Sequence, residues 1–232
     1  FAILFKRWAF LSTSSERRIK DPHAISLLCK QAISNVLTGV YPCTEHDAVF
    51  LGALQCQIMW GDHDPNVHHA GLFKQRPEEL KQLVPRHMLD SALFKVEWFE
   101  ERLLEAYGGH RGKLKSNMIA ELLYLQYVRQ WPFYGSSFFS GRMVTSKGGK
   151  KSGGPRGPGA FTLLKSKTQQ QAQLQQDNKE KGVVVRVGMN AEGIHIIDGQ
   201  RRTLLLSQEL DAVEPVQGVD VKSVFAFHCR LV

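Results

Sequence analysis

The stretch Gln130-Trp131-Pro132-Phe133-Tyr134-Gly135-Ser136-Ser137-Phe138-Phe139 marks the point at which the chain changes its hydrophobic period. Upstream, apolar residues recur at the i, i+3, i+4 spacing of helices, and downstream they fall into short strand-like runs. Pro132 ends the last helix, because proline lacks the N–H a helix interior requires and its ring clashes with the preceding turn. The 232 residues, 43% of them hydrophobic, therefore read as a helical unit followed by a β-rich one, with enough chain for two modest cores.

Working upstream, Asp21-Pro22 is an N-cap with proline at the first helical position. Behind it Ile25, Leu28, Cys29, Ala32, Ile33, Val36 and Leu37 form one buried stripe, and Gly39 stops the helix. The next helix starts at Thr44, with Asp47 three residues on as a capping pair. It is apolar on nearly every side to Met59, so it belongs at the centre of a bundle. Further helices are expected over 77–84, 97–107 and 116–130, the last presenting Ile119, Leu122, Leu123 and Tyr127 on one face.

Working downstream, the first strand runs into the segment 145–182, which is glycine- and proline-rich and then glutamine-rich. It is expected to be a disordered insertion. Val183 to Val187, a turn at 190–193 and Ile194 to Ile197 read as a hairpin, followed by strands at Thr203 to Leu206 and around Phe225 to Leu231.

The formal charge is +8, and the insertion alone holds eight cations against two acids, a net of +6. The folded remainder is close to neutral. Lys147, Lys150, Lys151, Arg156, Lys165 and Lys167 are the candidate contacts for anionic lipid, each contributing about 1 kcal/mol near a charged leaflet. Because these charges are dispersed and lack an amphipathic helix, a solubilising loop is the plainer expectation. Nucleic acid is disfavoured, since only Phe161 interleaves with them.

No stretch approaches the roughly 18–20 apolar residues that span a bilayer. The apolar opening, Phe1 to Leu11, is interrupted by Lys6 and Arg7, lacks a small-residue cleavage site and reads as an excerpt that starts mid-strand. Cys29, Cys43, Cys56 and Cys229 have irregular spacing, as expected of free thiols in a reducing compartment. Asp62, His63, Asp64, His68 and His69 offer metal donors, yet without the helical spacing that aims two histidines, and a solvated turn is expected instead of a metal. Cys43 and His46 similarly read as the turn and cap before a helix. Gly149-Lys150-Lys151-Ser152 misses the phosphate loop, whose first glycine would fall at Val144 and whose lysine must precede Ser or Thr. Neither G-x-S-x-G nor H-E-x-x-H occurs. No catalytic residue, cofactor or metal is expected.

The order Asp21-Pro22, Leu27-Leu28, Gln31-Ala32, Val36-Leu37, Tyr41-Pro42-Cys43-Thr44-Glu45, Ala53-Leu54-Gln55 and Gly61 resembles the helical second lobe of a FERM domain. Leu83-Val84-Pro85, Trp98 and Trp131-Pro132-Phe133-Tyr134-Gly135 leading into Phe138-Phe139 are similar to the passage into that family's third lobe. Pro132 to Gly135 and Glu192-Gly193-Ile194-His195-Ile196-Ile197-Asp198 are similar to the subgroup of FERM domain-containing protein eight and the Krev-interaction-trapped adaptors. The resemblance implies an α+β multi-lobe fold: an acyl-CoA-binding-protein-like bundle over 21–131, preceded by the end of a first lobe and a linker over 1–20. An incomplete pleckstrin-homology-like lobe would follow over 132–232. It also implies a non-catalytic scaffold, cytoplasmic and peripheral at the plasma membrane, that binds cytoplasmic tails of membrane proteins such as iRhoms or receptors. The alternative is the targeting region of a larger phosphatase, kinase or myosin.

Overall fold

The computed structural model describes residues 7, 11–114, 116–145, 161–165, 183–215 and 224–229. The chain forms two compact units, residues 1–134 and 135–232.

The first unit is helical: α1 Thr13–Glu16, α2 Pro22–Leu37, α3 Glu45–Trp60, α4 Leu72–Gln75, α5 Pro77–Leu80, α6 Arg86–Leu89, α7 Val96–Gly109 and α8 Asn117–Val128. Asp21 caps α2, its carboxylate accepting from the backbone N–H groups of His23 and Ala24 at 2.7 and 3.1 Å. The expected stripe is present in part, with Ile25, Cys29, Ala32 and Val36 buried and Leu28, Ile33 and Leu37 half-buried. Helix α3 is central as expected, every residue from Leu51 to Gln57 being buried. Its N-terminus carries a reciprocal capping box. Asp47 N–H donates to Thr44 Oγ1 at 3.2 Å, and Thr44 N–H donates to Asp47 Oδ2 at 2.7 Å. At Gly52 a methyl group would lie 2.6 Å from Leu103 Cδ1, so the missing side chain is what lets α3 approach α7 this closely.

The span 77–84, expected as one helix, holds only α5, with α4 and α6 as further single turns before and after it. These turns are fixed by packing. Leu72, Phe73, Leu80, Leu83, Val84 and Met88 bury against Phe99, Leu103 and Tyr107 of α7. Buried Glu100 supplies the start of α4, accepting from Gly71 N–H at 3.0 Å and Phe73 N–H at 2.9 Å, where the helix has no side-chain cap of its own. Helix α8 differs by rotation. Ala120, Tyr124, Leu125 and Val128 form its buried stripe, while Leu122 is exposed and Ile119, Leu123 and Tyr127 are half-buried. The helix is apolar on adjacent arcs, so periodicity alone did not select the inward one.

The two ends of this unit meet at one buried side chain. Glu16, assigned by sequence to a linker, has no solvent exposure. Its carboxylate accepts from Arg7 Nε, from Arg129 at 2.7 Å and from the Tyr134 hydroxyl at 2.7 Å. Tyr134 also packs on buried Tyr41, with ring centroids 5.9 Å apart. The compact helical unit thus runs to Tyr134.

The second unit is a seven-stranded antiparallel sheet in the order β5-β4-β3-β1-β2-β7-β6. Its strands are β1 Ser137–Thr145, β2 Phe161–Lys165, β3 Val183–Met189, β4 Gly193–Asp198, β5 Leu204–Glu209, β6 Val213–Pro215 and β7 Val224–Cys229. Strand β2 lies inside the segment 145–182 that composition marked as disordered. Phe161-Thr162-Leu163-Leu164-Lys165 is a strand-favouring run that the surrounding glycine and glutamine content masked, and it pairs with both β1 and β7. Val185, Val187 and Ile196 form the apolar centre with Met143, Met189, Ile194 and Leu206 against them. The hairpin β3–β4 turns on Asn190, whose Oδ1 accepts from Glu192 and Gly193 N–H at 3.0 and 2.9 Å. A methyl on Gly193 would fall 2.1 Å from Gln208 O, so glycine is required for β5 to pair there.

Removing one partner from a buried ion pair leaves an uncompensated charge. Glu16→Ala is expected to lower the unfolding free energy of the helical unit by about 3–5 kcal/mol in urea titrations followed at the helical circular dichroism band. A loss under about 1 kcal/mol would put this network on the footing of a surface pair.

Candidate functional site

The loop after α3 carries Asp62, His63, Asp64, His68 and His69, expected as a solvated turn, and several of these side chains are engaged in local contacts. His68 stacks on Trp60, with centroids 5.2 Å apart and planes at 12°, and His63 and His68 both lie against Tyr107. Asp64 N–H donates to His68 Nδ1 at 3.0 Å, while His63 Nε2 donates to His68 O at 3.1 Å. Tyr107 Oη donates to Gly61 O at 2.7 Å, and Asp62 accepts from the Gln57 amide at 3.1 Å. Among the described residues, no group of three or more His, Cys, Asp or Glu side chains is placed to hold a metal ion. Nor is the turn fully solvated: His63 and His68 are half-buried, whereas Asp62, Asp64 and His69 are exposed. An open groove of about 780 Å³ lies beside it, with His63, His68, His69 and Lys74 on one side and Glu97, Glu101 and Leu104 on the other.

Three of the four cysteines are shielded within the helical unit. Burial pushes the Cys29 and Cys43 thiols up to about 12, and Cys56 higher still. In the β unit, His195 is buried between Ser207 Oγ, 2.9 Å from Nδ1, and Asn190 Oδ1, 3.1 Å from Nε2. The chain of contacts has the connectivity of a nucleophile, base and orienter. Its chemistry is different. Asn190 Oδ1 is already committed to two backbone N–H groups, and a neutral amide does not stabilise an imidazolium as a carboxylate does. The histidine fastens the β3–β4 turn to β5, a role for which the sequence offered only the polar residue at an inward strand position.

Of the candidate lipid contacts, Lys147, Lys150, Lys151, Arg156 and Lys167 lie outside the described residues. Lys165 is the last residue of β2, opposite Gly141. A surface the sequence did not single out is the outer edge of β5, which with β6 is one of the two terminal strands of the sheet among the described residues. Leu204 and Leu205 there are 39% and 45% exposed. A strand edge presents unpaired backbone donors and acceptors, so it can take an extended segment as one more strand.

The FERM central domain family matches residues 14–139, more than half of the chain. The chain belongs to the FERM family. It is 28% identical over 198 residues to FERM domain-containing protein B of Dictyostelium discoideum, covering 85% of this chain and 34% of that protein. It is 27% identical over 222 residues to FERM domain-containing protein 8 of Mus musculus, covering 88% and 41%. The chain thus spans well under half the length of these relatives. The solved structure of the human myosin 7b C-terminal MyTH4-FERM domain in complex with the harmonin-a PDZ3 domain shares the fold, with a TM-score of 0.56 at 19% identity, covering 91% of this chain and 36% of that one. Among the described residues, no helix is long and apolar enough to cross a membrane.

Two measurements follow from the buried groups of this FERM chain. Cys29, Cys43 and Cys56 are expected to resist a thiol-directed reagent such as a maleimide in the native protein and to react once denatured, as mass spectrometry of tryptic peptides would show. Rapid native labelling of Cys29 or Cys56 would contradict their burial. Burial holds the His68, His110 and His195 imidazoles below their ordinary value of 6.5, His63 adding to the effect on His68 and Lys113 on His110, with Glu192 opposing it at His195. The unfolded chain therefore binds more protons than the folded one below about pH 6.5, and stability falls with pH through that value. Melting temperatures measured from pH 7.5 to 5 should decline, and less steeply in a His68→Gln, His195→Asn double variant.

Proposed function

We propose that this FERM chain is part of a non-catalytic scaffold, cytoplasmic and peripheral at the plasma membrane, that holds the cytoplasmic tail of a membrane protein. The observation that carries the proposal is the β5 edge, unpaired among the described residues, with Leu204 and Leu205 exposed beside it. Backbone hydrogen bonds along such an edge supply affinity for any extended segment, and side-chain contacts at alternate positions supply selectivity. The similarity to FERM domain-containing protein 8 and to a FERM structure solved with a bound protein domain supports protein binding as the module's work. The sheet of the second unit is then pleckstrin-homology-like, and the bundle acyl-CoA-binding-protein-like. Lys147, Lys150, Lys151, Arg156, Lys165 and Lys167 would add contact with anionic phospholipid.

A second reading is supported by the similarity to a myosin 7b tail region, in which case the same module targets a motor. A motor, phosphatase or kinase signature in the flanking reading frame decides between the two.

The test is capture of iRhom and receptor tails by the full-length parent protein. A Leu204→Asp, Leu205→Asp variant should lose about tenfold in tail affinity with an unchanged melting temperature. Equal capture by the variant would remove β5 as the docking edge, and no capture by the unmutated parent would overturn the tail-binding scaffold itself.

A further inference from the structure

Helix α8 carries apolar residues on two faces. The inner one is buried, whereas Met118 and Leu122, one turn apart on the outer one, are 41% and 36% exposed. Leu122 opens onto a groove of about 400 Å³ whose other walls are Arg17, Gln126, Arg129 and Gln130. Among the described residues no carboxylate lines it. Glu16, the acid nearest Arg17 in sequence, is fully buried and accepts from Arg7, Arg129 and Tyr134. Glu121 on the same helix accepts from Ser26 Oγ at 2.9 Å. Arg17 is exposed and enters no ion pair among the described residues, and the exposed cations Arg18 and Lys20 follow it.

We propose that this groove docks an acidic amphipathic helix of a partner protein, with an aliphatic side chain on Leu122 and Met118 and a carboxylate on Arg17. The charge of the walls sets the sign of the occupant. The exposed apolar anchor lines a groove beside Arg17, Gln126 and Gln130, with Arg129 already paired to Glu16, which suits an aliphatic side chain of a helix flanked by a carboxylate for Arg17. A bilayer surface is matched instead by several cations standing proud of the protein. Gln126 and Gln130, one turn apart, offer amide donors and acceptors to the polar flank of such a helix. The site lies wholly within the helical unit and stands independently of the β5 edge.

The test is selection from a random library of displayed peptides about sixteen residues long, roughly four helical turns, on the whole chain, with the enriched peptides then measured by fluorescence anisotropy. Enrichment of Asp- and Glu-rich sequences with aliphatic residues at i, i+3 and i+4 is expected. Their affinity should fall about tenfold for Leu122→Lys and for Arg17→Glu, survive in Arg17→Lys and weaken with added salt. Both positions are exposed, and unchanged melting temperatures establish that the variants fold. Enriched peptides that bind the variants as well as the unmutated chain, basic enriched peptides, or no enrichment at all would each overturn the proposal. So would phosphatidylserine vesicles that require Arg17 and Leu122 while acidic peptides do not.

Discussion

A carboxylate sealed from solvent organises the helical unit. Glu16 takes donors from three places far apart in sequence: Arg7 before α1, Arg129 at the end of α8 and Tyr134 in the turn beyond it. An isolated ionised carboxylate in such a place costs far more than a neutral polar group, so the donors must all arrive for the burial to be tolerated. Arg7 is held further, its backbone N–H donating to Gln31 Oε1 at 2.8 Å and its guanidinium standing 5.1 Å from the Tyr134 ring centroid. The network thus fixes where the chain enters the bundle and where it leaves.

Within that closure, helix α3, buried at every residue from Leu51 to Gln57, is held by its neighbours at both ends. Its start is held by the capping box and, at 2.5 Å, by the Tyr127 hydroxyl on Asp47. Its end is held by Tyr107 on Gly61. Phenols from α8 and α7 therefore pin opposite ends of the same helix, each hydroxyl reaching a polar group at a terminus while its ring packs among apolar or aromatic neighbours. The loop histidines belong to the same logic. Trp60, His63, His68 and Tyr107 form one aromatic cluster over the helix end. His63 and His68, expected in a solvated turn, instead pack over the aromatic end of a hydrophobic core.

Elements whose signals are local were legible in the sequence. Asp21-Pro22, Thr44 with Asp47, and Asn190 to Gly193 each carry the side-chain chemistry of a cap or turn within three or four residues, and each stands where expected. What depends on distant partners was not. Nothing adjacent to Glu16 announces Arg129 or Tyr134, so a buried acid looked like part of a linker. Leu122 and Tyr124 are both apolar enough for either face of α8, and only the neighbouring helices choose between them. Strand β2 has ordinary strand composition, but β1 and β7 give it a place, and a window averaged over glycine and glutamine hides it.

The two candidate interaction features follow from what each unit cannot bury. A bundle built around one central helix satisfies its inner arcs first, and a helix as apolar as α8 is left with a second arc facing out. An open sheet satisfies the backbone of every inner strand and leaves its end strands with one unpaired side. Elsewhere the Cys29 and Cys56 thiols are buried, with burial raising both above their ordinary range, and His68 and His195 spend ring nitrogens on the fold. The outer arc of α8 and the β5 edge are apolar and able to hydrogen-bond, and surfaces of that kind can hold other chains by contact.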